Sequence, residues 1–243
     1  MSFWDHLEEL RGVLFRSVLA LLGFTVLGLI FKNFLFDEII LAPTKSDFVI
    51  YSLLGWDFSI DLINVDLSAQ FFTHLKASVA VGFVLAFPFM IWEVWKFVLP
   101  ALYNNEKKAL RVVFLMASVL FYVGVAVGYF LVLPVCLRFF MTYTVSADVL
   151  NSITLSSYMS MFSSMVLLIG LVFEFPSIVF ALSRLGIVSR ELLRKGRRYA
   201  FVIILIISAF ITPADPVSMF VLAVPLYLLY ELSIFLCKSS ESR

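Results

Sequence analysis

The feature that most constrains the fold is one uninterrupted apolar run. Residues 112–137 read VVFLMASVLFYVGVAVGYFLVLPVCL, and none of these 26 residues is charged. A helix crosses a bilayer with about 20 mostly apolar residues. The whole chain is 62% hydrophobic and 14% charged, whereas soluble domains are about 45–50% apolar and about 25% charged. The sequence therefore predicts an integral membrane protein.

Five further segments have the same character, so the sequence predicts six spans. They are placed at about 13–36, 69–96, 111–137, 155–183, 198–213 and 216–237. Backbone polar groups inside a bilayer must be satisfied within the segment itself, so each span is expected to be a helix. The predicted fold class is an all-α integral membrane protein with six transmembrane helices.

The positive charges predict how these spans are oriented. Lys and Arg are enriched in cytoplasmic loops, and an even number of spans puts both termini on one side. That side carries 14 of the 18 Lys and Arg residues, so both termini are predicted to be cytoplasmic, with residues 1–12 as an amphipathic cytoplasmic segment. The apolar patches of the long segment 37–68 predict that it folds against the span ends. The predicted external loops are 37–68, 139–154 and 213–215.

The residue types present also exclude some kinds of binding site. Two histidines and two cysteines, without an HExxH or CxxC motif, cannot form a multi-histidine metal site. We therefore expect no metal and no cofactor, and a net charge of +1 gives no indication of nucleic-acid binding. The mixed charges of the opening MSFWDHLEELR are not those of a cleavable signal peptide.

The fourth predicted span carries a carboxylate near its middle. Glu174 precedes Arg184 by ten residues, or ~15 Å of helix. An acidic side chain at a span centre costs about 2.5–3.5 kcal/mol and usually faces the bundle interior or a wet cavity. Pro176 removes a backbone donor and should bend the span beside Glu174. Two interpretations stay open, a structural carboxyl bonded to a neighbouring helix and a polar group in a functional cavity.

Two cytoplasmic segments carry further candidate carboxylates. In FWDHLEELRGVLFR, apolar residues recur at helical spacing while Glu9 belongs to a charged face. In WEVWKFVLPALYNNEKKALR, aromatic residues typical of a membrane interface precede a turn and then Glu106. Each pattern fits a solvated salt-bridging surface, and each also fits a surface that receives a basic ligand.

Five motifs occur in order along the chain: HLEELR (6–11), WKFVLPALYNNEKKA (95–109), FYVGVAVGYFLVLP (121–134), FEFP (173–176) and TPAD (212–215). In combination they resemble the TatC family, the core receptor subunits of the twin-arginine protein translocase, over essentially the whole chain. The resemblance implies a concave, glove-shaped bundle in the bacterial cytoplasmic (inner) membrane that is not an enzyme. It implies binding of twin-arginine signal peptides of folded precursor proteins, assembly with single-span TatA/TatB-type subunits, self-association and transport driven by the proton-motive force.

The resemblance also implies roles for particular residues. The implied signal-peptide-binding residues are Glu9, Glu106, Phe97, Pro100, Leu102 and Tyr103. Glu174 is the implied intramembrane polar position, and Pro43 and Asp215 match positions in the external loops. Glu93 stands where much of the family carries Gln, and it is a further candidate for a polar group facing the cavity.

The chemistry of these residues fits recognition without catalysis. An Arg guanidinium pairs with a carboxylate in a bidentate geometry, whereas Lys offers only a point charge. The alternative is a proton-coupled small-solute transporter that uses Glu174 and Glu93 as proton carriers, but the chain lacks a convincing inverted repeat. An intramembrane enzyme is disfavoured because no Ser–His or metal-ligand arrangement lies within a predicted span.

Overall fold

The structure is a computed structural model, and it describes residues 3–98, 107–146, 148, 151–184, 186–212 and 215–237. Helices dominate these ranges. In chain order, α1 to α10 are Phe3–Ile30, Lys32–Phe34, Val49–Leu54, Ala69–Val98, Lys107–Val127, Leu133–Thr142, Leu155–Val172, Phe175–Arg184, Arg190–Ile211 and Pro216–Leu236. Wide π-helical turns at Leu35–Ile40 and Gly128–Val132 and a 3₁₀ turn at Ala42–Thr44 connect neighbouring helices.

Five helical stretches in this part of the chain are long and apolar enough to cross a membrane. They are Leu7–Ile30, Ala69–Val98, Val112–Thr142, Leu155–Arg184 and Pro216–Leu236. The fifth predicted span, 198–213, falls mostly in the apolar second half of α9, which begins with the charged sequence RELLRKGRR and ends at Ile211. The all-helical, multi-pass membrane class is thus confirmed, and the fifth span stays a prediction.

The N-terminal segment is continuous with the first span. Helix α1 runs without a break from Phe3 to Ile30, so residues 3–12 do not form a separate surface helix. The span ends earlier than the predicted residue 36, because the backbone leaves helical geometry at Phe31 (ψ 39°) before α2 begins. Glu9 therefore stands on the same rigid helix as the first span.

Helix α1 packs antiparallel against α4 through small residues. A Cβ atom added to Gly82 would lie 2.7 Å from the Thr25 hydroxyl oxygen and 2.8 Å from the Thr25 backbone nitrogen. One added to Gly28 would lie 3.1 Å from the Cα of Ser78. Close approach of this kind is how membrane helices gain van der Waals contact when lipid supplies no hydrophobic driving force between them. These contacts fix the register of the pair.

The fourth span is broken at the predicted position. Helix α7 ends at Val172, Phe173 and Glu174 form a turn, and α8 begins at Phe175. Pro176 follows directly and has no N–H to continue the hydrogen-bond ladder of α7. Gly124 of α5 fits against the turn, since a Cβ there would lie 2.7 Å from the Cβ of Phe173. The predicted bend beside Glu174 is confirmed.

Tyrosine hydroxyls hold the segment 37–68 against the span ends. Within the segment, the Tyr51 hydroxyl donates to the Pro43 carbonyl at 2.7 Å, and burial raises the pKa of Tyr51 above its usual range, so the hydroxyl remains a donor. The Tyr129 hydroxyl donates to the Ile39 carbonyl at 2.7 Å, and that of Tyr158 donates to the Ile40 carbonyl. The prediction that this segment folds against the spans is confirmed.

A short parallel strand pair joins the two longest predicted external loops. Strand β1 (Leu62–Ile63) pairs with β2 (Ile153–Thr154), with Leu62 opposite Ile153. The first strand precedes α4 and the second precedes α7. The pair therefore ties the entry of the second span to the entry of the fourth.

Tyr158→Phe is expected to lower the free energy of unfolding by about 1–3 kcal/mol, because a buried carbonyl then loses its donor. Tyr158 and Ile40 are both fully buried. Tyr122→Phe is the matched control, since the Tyr122 hydroxyl is exposed and its bond to the Val84 carbonyl is long, at 3.2 Å. Thermal unfolding in detergent measures both variants, and an equal loss in the two would contradict the prediction.

Candidate functional site

Glu174 is a buried carboxyl with one oxygen bonded and one open. The residue lies in the turn between α7 and α8, and it is only 5% exposed. The Ser177 hydroxyl, one turn later in α8, donates to Glu174 Oε2 at 2.6 Å. Within the described part of the chain, Glu174 Oε1 has no hydrogen-bond partner. The bond to Ser177 orients the carboxyl, and the second oxygen can accept a hydrogen bond from water, peptide or another helix.

Glu93 is the second buried carboxylate, and it pairs with Arg16 of α1. Arg16 Nε donates to Glu93 Oε2 at 2.7 Å, and Arg16 Nη2 lies 2.6 Å from the same oxygen. The Glu93 side chain is 7% exposed, whereas that of Arg16 is 47% exposed. The contact spans 77 positions of sequence and joins the first span to the second. Glu93 is therefore bonded to its neighbour helix rather than left open.

Glu9 lies near the start of α1 and is half-buried, whereas the adjacent Glu8 is exposed. The close approaches of Thr25 to Gly82 and of Gly28 to Ser78 define the antiparallel register of α1 and α4. Continued along both helices, this register brings Glu9 level with the last turn of α4, which ends at Val98. The structure thus places Glu9 level with the end of α4, whose Val98 is the last described residue before the segment that carries Glu106.

The predicted residues of that loop lie outside the described part of the chain. They are Pro100, Leu102, Tyr103 and Glu106. Phe97, just before them, is half-buried in the last turn of α4. The pairing of Glu9 with Glu106 therefore stays a prediction, with one of its two members placed by the structure.

The three placed carboxylates differ in depth. Trp95 of α4 packs in one apolar cluster with Ala181 of α8, which sets the relative level of these two helices. Counted at about 1.5 Å per residue, Glu93 lies ~3 Å below Trp95 and Glu174 lies ~10 Å below it. Glu9 is near the level of the helix end. Acidic groups thus occur at one end of the bundle and at two depths below that end.

The two predicted external-loop residues have local structural contacts. Asp215 is buried and caps α10, its Oδ2 accepting from the Ser218 backbone N–H at 2.6 Å. Pro43 is buried in the 3₁₀ turn, where its carbonyl accepts from Tyr51. These contacts give each residue a part in ordering its segment, and they bring neither close to the carboxylates described above.

Arg16 and Ser177 make contacts that the sequence did not predict. Arg16 was counted only among the positive charges that set the orientation. A signal existed, because Arg16 and Glu93 both fall within predicted spans, where opposite charges are expected to pair. Across the described ranges, no group of three His, Cys, Asp or Glu side chains is arranged to hold a metal ion. The acidic groups present suit binding of a cationic ligand.

Together these features define a multi-pass membrane protein with carboxylates at and below one face of its helix bundle. Comparison with known families agrees with that class and refines it. The family model of the Sec-independent protein translocase protein (TatC) matches residues 5–225. The chain belongs to this TatC family of protein translocase components.

Individual relatives cover nearly the whole chain. It is 36% identical over 251 residues to the Sec-independent protein translocase protein TatC of Blattabacterium sp. subsp. Periplaneta americana, covering 97% of this chain and 94% of that one. It is 38% identical to TatC of Desulforapulum autotrophicum, covering 96% and 82%. A crystal structure of the twin-arginine translocase receptor TatC in DDM superposes with a TM-score of 0.82 at 33% identity, covering 96% of this chain and 99% of the other.

Proposed function

We propose that this chain is the receptor and core subunit of a twin-arginine translocation complex in the bacterial cytoplasmic (inner) membrane. It binds the twin-arginine signal peptides of folded precursor proteins at the cytoplasmic face. The observation that carries the proposal is the TM-score of 0.82 to a structure described as a twin-arginine translocase receptor, over 96% of this chain. Six spans in a concave, glove-shaped bundle with both termini in the cytoplasm complete the proposed topology, which the Lys and Arg distribution supports.

In the proposed mechanism, two carboxylates receive the two arginines. Glu9 and Glu106 each accept a guanidinium through paired, charge-assisted hydrogen bonds. Phe97, Pro100, Leu102 and Tyr103 also bind the peptide. The placement of Glu9 level with the last turn of α4 supports the pairing, because Glu106 lies only eight positions beyond Val98. The residues bind and orient the peptide, and no covalent bond is made or broken.

The remaining steps follow from the bundle itself. The apolar part of the signal peptide lies along the spans toward Glu174, whose open oxygen gives a polar contact in an otherwise apolar region. Single-span TatA/TatB-type subunits dock beside the short fifth and sixth spans, and the complex contains more than one copy of this chain. Transport is driven by the proton-motive force. The alternative function, a proton-coupled solute transporter, gains no support from any relative of this chain.

Export of a folded reporter tests the proposed function. A reporter with a twin-arginine signal is expected to stay in the cytoplasm of cells that lack this protein and to be exported again on complementation. A photo-crosslinker placed beside residue 106 is expected to capture the RR signal and not its KK variant, since Lys cannot make the bidentate pair. Unchanged export without the protein would contradict the receptor proposal. Equal capture of both peptides would contradict the carboxylate mechanism.

Glu174→Ala is expected to reduce export at least about tenfold while twin-arginine binding changes less than about twofold, because Glu174 lies well below the entrance. Ser177→Ala removes the hydroxyl that donates to Glu174 Oε2 and to the Glu174 carbonyl but keeps the carboxyl, so a milder loss is expected. Export assays and peptide titration measure the two effects separately. Normal export by Glu174→Ala would favour a purely structural carboxyl instead.

A further inference from the structure

The pair of Arg16 and Glu93 is asymmetric in burial. Glu93 is 7% exposed and sits within the second span, while Arg16 is 47% exposed. A charge buried without a partner is strongly unfavourable, whereas a long Arg side chain can extend its head group to water. Loss of the partner is therefore more unfavourable for the buried charge of Glu93 than for the half-exposed charge of Arg16. The bond is a polar contact between α1 and α4, in the half of the pair that carries Glu9 and Phe97.

This bond also sets which way the start of α1 faces. Glu9 precedes Arg16 by seven residues, or about two helical turns, so the two share one face of α1. Phe97 follows Glu93 by four residues and shares one face of α4 for the same reason. With Arg16 bonded to Glu93, the face that carries Glu9 is turned toward the face that carries Phe97. Farther along the helices, the tight approach of Thr25 to Gly82 holds the other end of the register.

We propose that Arg16 and Glu93 form a positioning pair for signal-peptide recognition. Their bond fixes the rotation of α1 about its own axis, and it thereby sets the direction of Glu9 relative to the last turn of α4. Neither residue contacts the signal arginines. The inference rests on the proposed function, and it adds two residues outside the expected recognition set that decide how well RR is distinguished from KK.

The burial asymmetry predicts an unusual order of effects. Arg16→Gln leaves a buried, unpaired carboxylate, so affinity for an RR signal peptide is expected to fall at least about tenfold. Glu93→Gln leaves an exposed guanidinium and an amide oxygen that still accepts from it, so a loss below about threefold is expected. The double variant removes the buried charge, and its two side-chain amides can still hydrogen-bond across the helix pair, so it is expected to recover to within about threefold of the unmodified protein.

The experiment is a titration of the full-length protein in nanodiscs with labelled RR and KK signal peptides. Thermal unfolding of each variant reports general damage to the fold. The proposal predicts that Arg16→Gln loses RR–KK discrimination and that the double variant regains it. It is overturned if Arg16→Gln keeps its discrimination, or if the double variant is no better than Arg16→Gln.

A distance measurement separates this inference from the proposed function. Spin labels at the exposed positions Glu8 and Val94, with both native cysteines replaced by alanine, report the orientation of α1 relative to α4. A broader distance distribution is expected in Arg16→Gln and a narrow one in the double variant. An unchanged distribution in Arg16→Gln overturns the positioning role. Failure of the unmodified protein to distinguish RR from KK overturns the proposed function instead.

Discussion

Glu9→Gln is expected to weaken binding of a twin-arginine signal peptide by about ten- to a hundredfold, because a charge-assisted pair becomes a neutral hydrogen bond. Most of the preference for RR over KK should be lost with it. Glu8→Gln is the matched control. Glu8 is the neighbouring, exposed carboxylate of the same helix turn, and the same change of charge there should leave affinity within about twofold.

Peptide titration at two salt concentrations measures this effect and its origin. The unmodified protein should lose affinity as salt rises, and Glu9→Gln should lose less, because one pairing charge is gone. Glu106→Gln should resemble Glu9→Gln, and the double variant should bind RR and KK alike. Equal effects of Glu8→Gln and Glu9→Gln would contradict a specific role for Glu9 and would indicate general electrostatic attraction to this acidic segment.

Gly82→Val is expected to destabilise the protein by more than about 3 kcal/mol and to abolish export, because overpacking against backbone cannot be relieved by a side-chain rotation. A Cβ at Gly82 would lie 2.8 Å from the backbone nitrogen of Thr25. Helix α1 would have to move away from α4, which would displace Glu9 from the loop. Gly82→Ala adds the same first atom and is expected to cause a smaller loss of about 1–3 kcal/mol.

Gly23 provides the control for this substitution. It lies on α1 two positions before Thr25, and a Cβ added there meets nothing within 4 Å. Gly23→Ala is therefore expected to be neutral or to stabilise by up to about 1 kcal/mol, the usual gain of helix propensity. Unfolding in detergent and reporter export measure all three variants. Similar behaviour at Gly82 and Gly23 would contradict the close approach of the two helices.

The parts of the fold that sequence could predict are those set by local hydropathy and by backbone chemistry. The run 112–137 predicted a span, and α5, the π-helical turn and α6 fill it. Pro176 predicted a bend, since a missing N–H acts wherever the residue stands. Helix length and hydropathy do not identify the fifth predicted span as clearly, because the apolar residues 199–211 share one helix with the charged start of α9.

The parts that sequence could not predict depend on the register between helices. The charges of Arg16 and Glu93 were visible, but hydropathy carries no information on which residues of α1 and α4 stand opposite each other. The register depends on backbone approach at Gly28 and Gly82. The same limit applies to β1 and β2, whose two-residue strands leave no periodic pattern in sequence. The bond from Ser177 to Glu174 depends in turn on the geometry of the break.

The strand pair formed by Leu62–Ile63 and Ile153–Thr154 has a mechanical consequence for the bundle. It ties the chain just before the second span to the chain just before the fourth. The hairpin of the first and second spans and the hairpin of the third and fourth spans are thereby joined at one end. At the opposite end, Trp95 of the second span packs in one buried cluster with Val113 of the third span and Ala181 of the fourth. The two hairpins are therefore held together at both ends, which limits the movement of one relative to the other.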